Sequence, residues 1–184
     1  MTNREVVYGL YNDGWKGLIV DEAFSHPAKY SKGLIYWIVR TGIARGWWHP
    51  GDTIIDPFAG VGLGGMACAA HELQWLGVEI EERFVGLAEQ NFALHEKMWR
   101  LLNLPVPRIV QGDSRRLAEI VAGLPVAGGV TSPPYAQTIN DARDGGGIHW
   151  SKQPGASSRN QSYGLIPGQL GAMPEGAPPI GGGI

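Results

Sequence analysis

Four apolar runs of strand length, each stopping in a polar or glycine-rich turn, punctuate the first two thirds of the chain: Thr53–Asp56, Gln74–Ile80, Arg108–Gln111 and Ala127–Thr131. Helical patterns alternate with them. From Ser31, a plausible N-cap, Leu34, Ile35, Ile38 and Val39 recur at helical spacing, with Trp37 and Ile43 nearby. Small residues, Met66–Ala70, follow the first strand. A long amphipathic stretch from Glu82 to Asn103 places Phe84, Leu87, Ala88, Leu94, Met98, Leu101 and Leu102 on its expected core face, and Leu104-Pro105-Val106-Pro107 ends it. A short helix is expected from Arg115 to Val121. Strands alternating with helices predict an α/β fold, a Rossmann-like parallel sheet flanked by helices.

The first strand runs into Asp56-Pro57-Phe58-Ala59-Gly60-Val61-Gly62-Leu63-Gly64-Gly65. Glycines let the backbone pass close to a ligand and leave N–H groups free at the helix start. A dinucleotide-binding turn puts its first glycine directly after the strand and offers a helix dipole to a pyrophosphate. Here Asp56 and Pro57 come first, and an acid at that position repels a phosphate. It suits a cation or a ligand with a free amino group. A tight βα corner holding nothing would carry the same glycines.

Glu79, nineteen positions beyond Gly60, lies near the tip of the second strand, where a carboxylate accepts both ribose hydroxyls of a nucleoside. A solvated strand-end acid is the bland alternative. Past the third strand, Asp113 or Ser114 would serve as a helix cap. The fourth strand leads to Ser132-Pro133-Pro134-Tyr135, in which two prolines fix φ and remove two backbone donors. That leaves a stiff turn with free carbonyls at a strand tip, where open α/β sheets bind ligands. A hydroxyl beside a rigid carbonyl makes a double acceptor, and an aromatic ring next to them offers a stacking surface for a base.

Composition changes this picture little. A chain of 184 residues fits one domain with a real core. It is 43% hydrophobic without a long uninterrupted apolar segment, so no membrane span is expected. The N-terminal MTNREVVYGLYND has early acids and no apolar h-region, so no secretory signal is expected. Cys68 is the single cysteine, which excludes an internal disulfide and a cysteine-rich zinc site. His71 and His95 have no second ligand at metal spacing, and no metal is expected. A reducing, cytoplasmic setting follows most simply. The net charge of −2 weighs against a nucleic-acid partner, since such domains usually carry a basic surface.

Four segments in this order carry a resemblance: Phe24-Ser25-His26-Pro27-Ala28-Lys29-Tyr30, the DPFAGVGLGG turn, the second-strand acid and TSPPY. Together they resemble the S-adenosylmethionine-dependent DNA amino-methyltransferases, which modify cytosine N4 or adenine N6 by a class I methyltransferase fold. The resemblance implies an S-adenosylmethionine site made of Lys29, Tyr30, Asp56, Pro57, Phe58, Ala59, Gly60, Gly62, Glu79, Ile80, Asp113 and Ser114. It places FSHPAKY against the methionine end of the cofactor and gives Asp113 the exocyclic amine of the adenine. Ser132, Pro133, Pro134 and Tyr135 become the catalytic motif, acting on a flipped base in double-stranded DNA. Ser at the motif's first position leans toward cytosine N4.

Cys68 lies far upstream of the fourth strand, which removes the C5-cytosine methyltransferases and their cysteine nucleophile.

The resemblance covers Phe24 to Tyr135 and then fails. Residues 1–140 read as the methyltransferase core. From Asp141 to Ile184 there are eleven Gly and five Pro in 44 residues, a share at which a segment looks low-complexity, so 141–184 reads as a Gly/Pro-rich loop or flexible tail. Arg143, Lys152 and Arg159 with Trp150 and Tyr163 would line a DNA-facing loop instead. A complete sheet of this kind has more strands than the four found, so the chain reads as lacking a C-terminal part, with a second chain as one source of the remainder. The alternatives are an RNA or other amine methyltransferase of the same fold, and an inactive cofactor-binding remnant.

Overall fold

The computed structural model describes residues 14–26 and 29–132. Four parallel strands, β1 (Thr53–Asp56), β2 (Gln74–Glu79), β3 (Arg108–Gln111) and β4 (Val126–Gly129), form one sheet in the order β3-β2-β1-β4. Between them run α1 (Lys32–Ala44, before β1), α2 (Leu63–Ala69), α3 (Glu82–Leu101) and the single turn α4 (Leu117–Ile120). This is the alternating α/β architecture expected from the sequence, and every described strand lies within two residues of its expected bounds. The strand order reverses at β1, so the crevice at its C-terminal tip is a switch point.

The register sets which strand ends meet. Asp56 lies opposite Gly77, and Ile55 opposite Gly129 of β4, while the pairing slips between Thr53 and Ile54. The chain leaves β4 still attached to β1, because the Val130 amide donates to the Ile55 carbonyl at 3.0 Å. Gly112, just beyond β3, donates to the Glu79 carbonyl at 2.9 Å. All four exits therefore share one edge.

α2 is buried along its whole length, which is why, after Leu63, it is built of Gly, Ala, Cys and Met: it fills the space between the sheet and α1. Gly65 shows how tight that space is, since a β-carbon there would sit 2.8 Å from the Trp75 ring and from Pro107. Ser31 takes the N-cap position of α1 in an extended conformation, its carbonyl accepting from Ile35 N at 3.1 Å.

One expectation is corrected. The buried stripe of α3 is Phe84, Ala88, Asn91, Phe92 and Trp99, whereas Leu94, Met98, Leu101 and Leu102 are exposed, Leu101 by 79%. Rings decide the rotation of the helix. Phe92 lies edge-on to Trp75 at 6.0 Å and tilted to Trp99 at 6.3 Å, and these large side chains bury more apolar surface than the leucines would.

Before α1 the chain forms a strap, residues 14–26, ending in a 3-10 turn over Asp21–Ser25. Trp15, Ile19 and Ala23 bury their side chains in the core, and the strap packs on α3. No described helix is long and apolar enough to cross a membrane.

Gly62, the N-cap of α2, has φ +79°, and a β-carbon there would lie 2.6 Å from the Phe92 ring, whereas Gly46 has φ +69° in open space. Gly62→Ala is expected to cost about 3 kcal/mol or more in urea unfolding, from backbone strain plus overpacking. Gly46→Ala is expected to cost about 1–2 kcal/mol from strain alone. Equal losses would show that the contact with Phe92 does not constrain the turn.

Candidate cofactor and amine site

The glycine turn is held from two sides by carboxylates. Asp56 ends β1 completely buried, and its Oδ1 accepts the Phe58 amide at 3.0 Å. Glu79 ends β2, also buried. Its Oε2 accepts the Gly60 amide at 2.9 Å and its Oε1 the Glu81 amide at 2.9 Å. The Ala59 amide donates to the Val78 carbonyl at 3.0 Å, so the turn folds back over β2. Gly60, with φ +53°, and Gly62 bend the chain between these anchors.

Asp56 Oδ2 and the Tyr30 hydroxyl are buried without a hydrogen-bond partner among the described residues. Oδ2 faces α2, where a β-carbon on Gly64 would come 3.5 Å from it, and the Tyr30 hydroxyl is near enough to feel the Asp56 charge. Burial, first, and the nearby charge of Glu79 push the Asp56 carboxyl up to about 6, against the pull of the Phe58 amide and the Thr131 hydroxyl. Burial likewise raises Glu79, opposed by the amides of Glu81 and Gly60. Burial and the charge of Asp56 push the Cys68 thiol up to about 12, leaving it a neutral, inert core group. The Tyr30 phenol is also raised, by burial first and then by Asp56 and Cys68.

The FSHPAKY segment reaches the turn through His26. Its ring lies on Gly60, where a β-carbon would sit 2.9 Å from Nε2, and packs edge-on to Phe84 at 4.3 Å. Lys29 turns back on its own segment, Nζ donating to the carbonyls of Phe24, at 3.1 Å, and His26. Tyr30 accepts from Trp15 Nε1 at 2.7 Å through its carbonyl.

The remaining sites lie along the same edge. Pro57, Phe58 and Ile80 are half-buried and Ala59 is buried, with Ile80 O accepting from Gln111 Nε2 at 3.3 Å. Asp113 caps the 3-10 turn Ser114–Arg116, its Oδ1 accepting the Arg115 amide at 2.9 Å. Its carboxylate also grips the Arg115 guanidinium, which holds it below the usual carboxylate range. Ser132 is exposed, three residues beyond the end of β4. Pro133, Pro134 and Tyr135, like the 141–184 segment, lie outside the described residues.

Sequence reasoning missed two members of this neighbourhood. His26 carried a signal, since Pro27 makes it extended, but nothing local tied its ring to Gly60. Asn91, fully buried on α3, carries no local signal that sets it apart from the helix's other polar residues.

Comparison with known proteins falls on this part of the chain. Residues 8–90 match the family model described as DNA methylase, N6_N4_Mtase. The type II methyltransferase M.SmaI of Serratia marcescens is 26% identical over 88 residues, 48% of this chain and 26% of that protein. Among solved structures, the YcgJ protein of Bacillus subtilis aligns with TM-score 0.32 and 16% identity over 42% of this chain and 29% of its own. YjhP of E. coli aligns with TM-score 0.34 and 16% identity over 50% and 33%. Residues 8–90 are thus similar to the DNA amino-methyltransferases over a little under half of the chain. The match spans about a quarter of the length of that curated relative.

A carboxyl raised from 3.8 to about 6 binds its proton more readily folded than unfolded. Its ionisation therefore costs nothing below about pH 4, costs progressively more between about pH 4 and 6, and costs a constant amount above. Asp56→Asn keeps an acceptor for Phe58 and removes that cost, so it is expected to stabilise the protein at pH 7.5 by up to about 3 kcal/mol. The gain should vanish near pH 4. Thermal melts of both proteins across this range check it, and a gain independent of pH would refute a buried ionised Asp56.

Proposed function

We propose that this chain carries the S-adenosylmethionine-binding half of a DNA methyltransferase acting on the exocyclic amine of a flipped base, cytosine N4 favoured over adenine N6. One observation carries the reading. Two buried carboxylates end adjacent parallel strands around a glycine turn, one of them with a free oxygen, inside the segment that matches the DNA methylase family.

The residues fit that cofactor by the chemistry of their donor set. Each Glu79 oxygen takes one backbone amide and keeps a lone pair for a ribose hydroxyl. Asp56 Oδ2, buried and unpartnered, suits the α-amino group, with Tyr30 beside it and Lys29 fixing the segment that supports them. Pro57, Phe58, Ala59, Gly60, Gly62 and Ile80 supply the wall, and Asp113 with Ser114 the adenine end, where Asp113 would share its carboxylate with Arg115. Bound there, the cofactor supplies an electrophilic methyl group on a sulfonium.

The chain's own part in transfer is to prepare the amine. An exocyclic amino group has its lone pair delocalised into the base, so it is a poor nucleophile. Ser132 Oγ and the Pro133 carbonyl accept from its two N–H bonds, draw the nitrogen toward tetrahedral geometry and stabilise the positive charge it develops. Pro134 stiffens the turn, and Tyr135 stacks on the extruded base. Ser132 follows β4, the neighbour of β1, which supports the proximity this requires.

A second reading, cofactor binding without turnover by this chain alone, has one observation in its favour. β4 has β1 on one side and no strand on the other among the described residues, and Val126 and Leu124 are exposed there. A second chain completing the sheet would restore transfer.

Nucleosides from duplex DNA incubated with the protein and S-adenosylmethionine, resolved by mass, are expected to contain N4-methylcytosine. N6-methyladenine would change the base, methylated RNA the substrate, and cofactor binding without any product would favour the second reading. Ser132→Ala is expected to lower transfer at least ~100-fold while leaving calorimetric affinity for the cofactor unchanged. A parallel loss of affinity would make Ser132 part of the cofactor pocket instead.

A further inference from the structure

α3 holds the strap with two side chains one helical turn apart. His95 Nε2 donates to the Leu18 carbonyl at 2.7 Å, which fixes the proton on that nitrogen, and Asn91 Oδ1 accepts the Val20 amide at 2.9 Å. A carbonyl and an amide two residues apart are thus satisfied by a helix as a neighbouring strand would satisfy them. Asn91 does more. Its Nδ2 donates to the Val61 carbonyl at 2.9 Å, in the middle of the glycine turn between Gly60 and Gly62.

We propose that Asn91 is the positioning residue of the cofactor turn, a single side-chain amide that sets both the orientation of the Val61–Gly62 peptide and the distance between turn and strap. The proposal rests on the reading of that turn as an S-adenosylmethionine site. Its geometry follows from the two bonds. With Oδ1 on the strap and Nδ2 on the turn, the two backbones are held one carboxamide apart. The strap then runs through its 3-10 turn to His26, whose ring lies on Gly60. The turn is therefore gripped from behind at Val61 and from the strap's far end at Gly60. Glu79 fixes the Gly60 amide from the third side.

Asn91 is completely buried, and both of its polar groups are used. An Asp at this position would present a carboxylate oxygen to the Val61 carbonyl, two acceptors face to face. A Leu would leave the Val61 carbonyl and the Val20 amide without this partner. The carboxamide offers the donor to one and the acceptor to the other. Held in this way, the Val61 carbonyl points into α3, and the peptide that follows keeps Gly62 at φ +79° to start α2. Released, that peptide can rotate, and the Gly60 and Gly62 amides lose their fixed direction.

His95 supplies the control, because it grips the same strap but does not touch the turn. Calorimetric titration of the full chain with S-adenosylmethionine is expected to show at least a tenfold rise in Kd for Asn91→Ala. His95→Ala should stay within twofold of the unsubstituted protein. Equal weakening by both would reduce Asn91 to a strap anchor and overturn the proposal, as would no weakening by either. If the unsubstituted chain does not bind S-adenosylmethionine, the cofactor reading itself fails, an outcome distinct from any difference between variants. Should Asn91→Ala fail to fold, the same titration followed by nuclear magnetic resonance on the unsubstituted chain decides. The Asn91 side-chain amide is expected to shift with the same midpoint as the Gly60 and Gly62 amides, and a stationary Asn91 signal while those move would overturn it.

Discussion

The hydrogen bond from the Gly60 amide to Glu79 Oε2 is the constraint around which the C-terminal edge of the sheet is built. It joins the turn leaving β1 to the tip of β2, nineteen residues away, and does so where water is excluded. A carboxylate buried without partners would cost several kcal/mol or take up a proton. Glu79 avoids part of this by accepting backbone amides on both oxygens, so the acid shapes the turn and the turn keeps the acid in place. Asp56 repeats the device one strand over with a single amide, and the residual burial cost is visible in a carboxyl raised to about 6.

That asymmetry separates architecture from chemistry. Glu79 is satisfied by the protein, and Asp56 is satisfied by half. Two buried polar atoms without a partner among the described residues, Asp56 Oδ2 and the Tyr30 hydroxyl, represent free energy that folding alone does not recover. In the proposed reading these are the atoms that the bound cofactor would complete.

The aromatic rings account for the glycines from the protein side alone. His26 occupies the space a side chain on Gly60 would need, Phe92 that of Gly62, and Trp75 that of Gly65. The turn is thus packed from the protein side by residues drawn from the strap, β2 and α3. Their rings are rigid, so the backbone between them has one well-defined path. α3 links these pieces, since Phe92 and Asn91 stand next to each other on its buried stripe.

The sequence by itself determined the order and type of the elements, the parallel α/β class and the acid-ended strands, because these depend on local period and on backbone rules for Gly and Pro. The spacing of Gly60 and Glu79 was readable for the same reason: a turn, a short helix and a strand of fixed rise bring them to one edge. Only the tertiary structure decided which stripe of α3 faces inward, that Lys29 turns onto Phe24 and His26, that Asp113 is gripped by Arg115, and that Asn91 ties strap to turn. The Lys29 and Asp113 contacts are local but side-chain choices that no backbone period encodes, whereas the ties of α3 to strap and turn join residues 30 to 77 apart, whose approach is fixed by packing volume and by the need to satisfy each buried donor and acceptor.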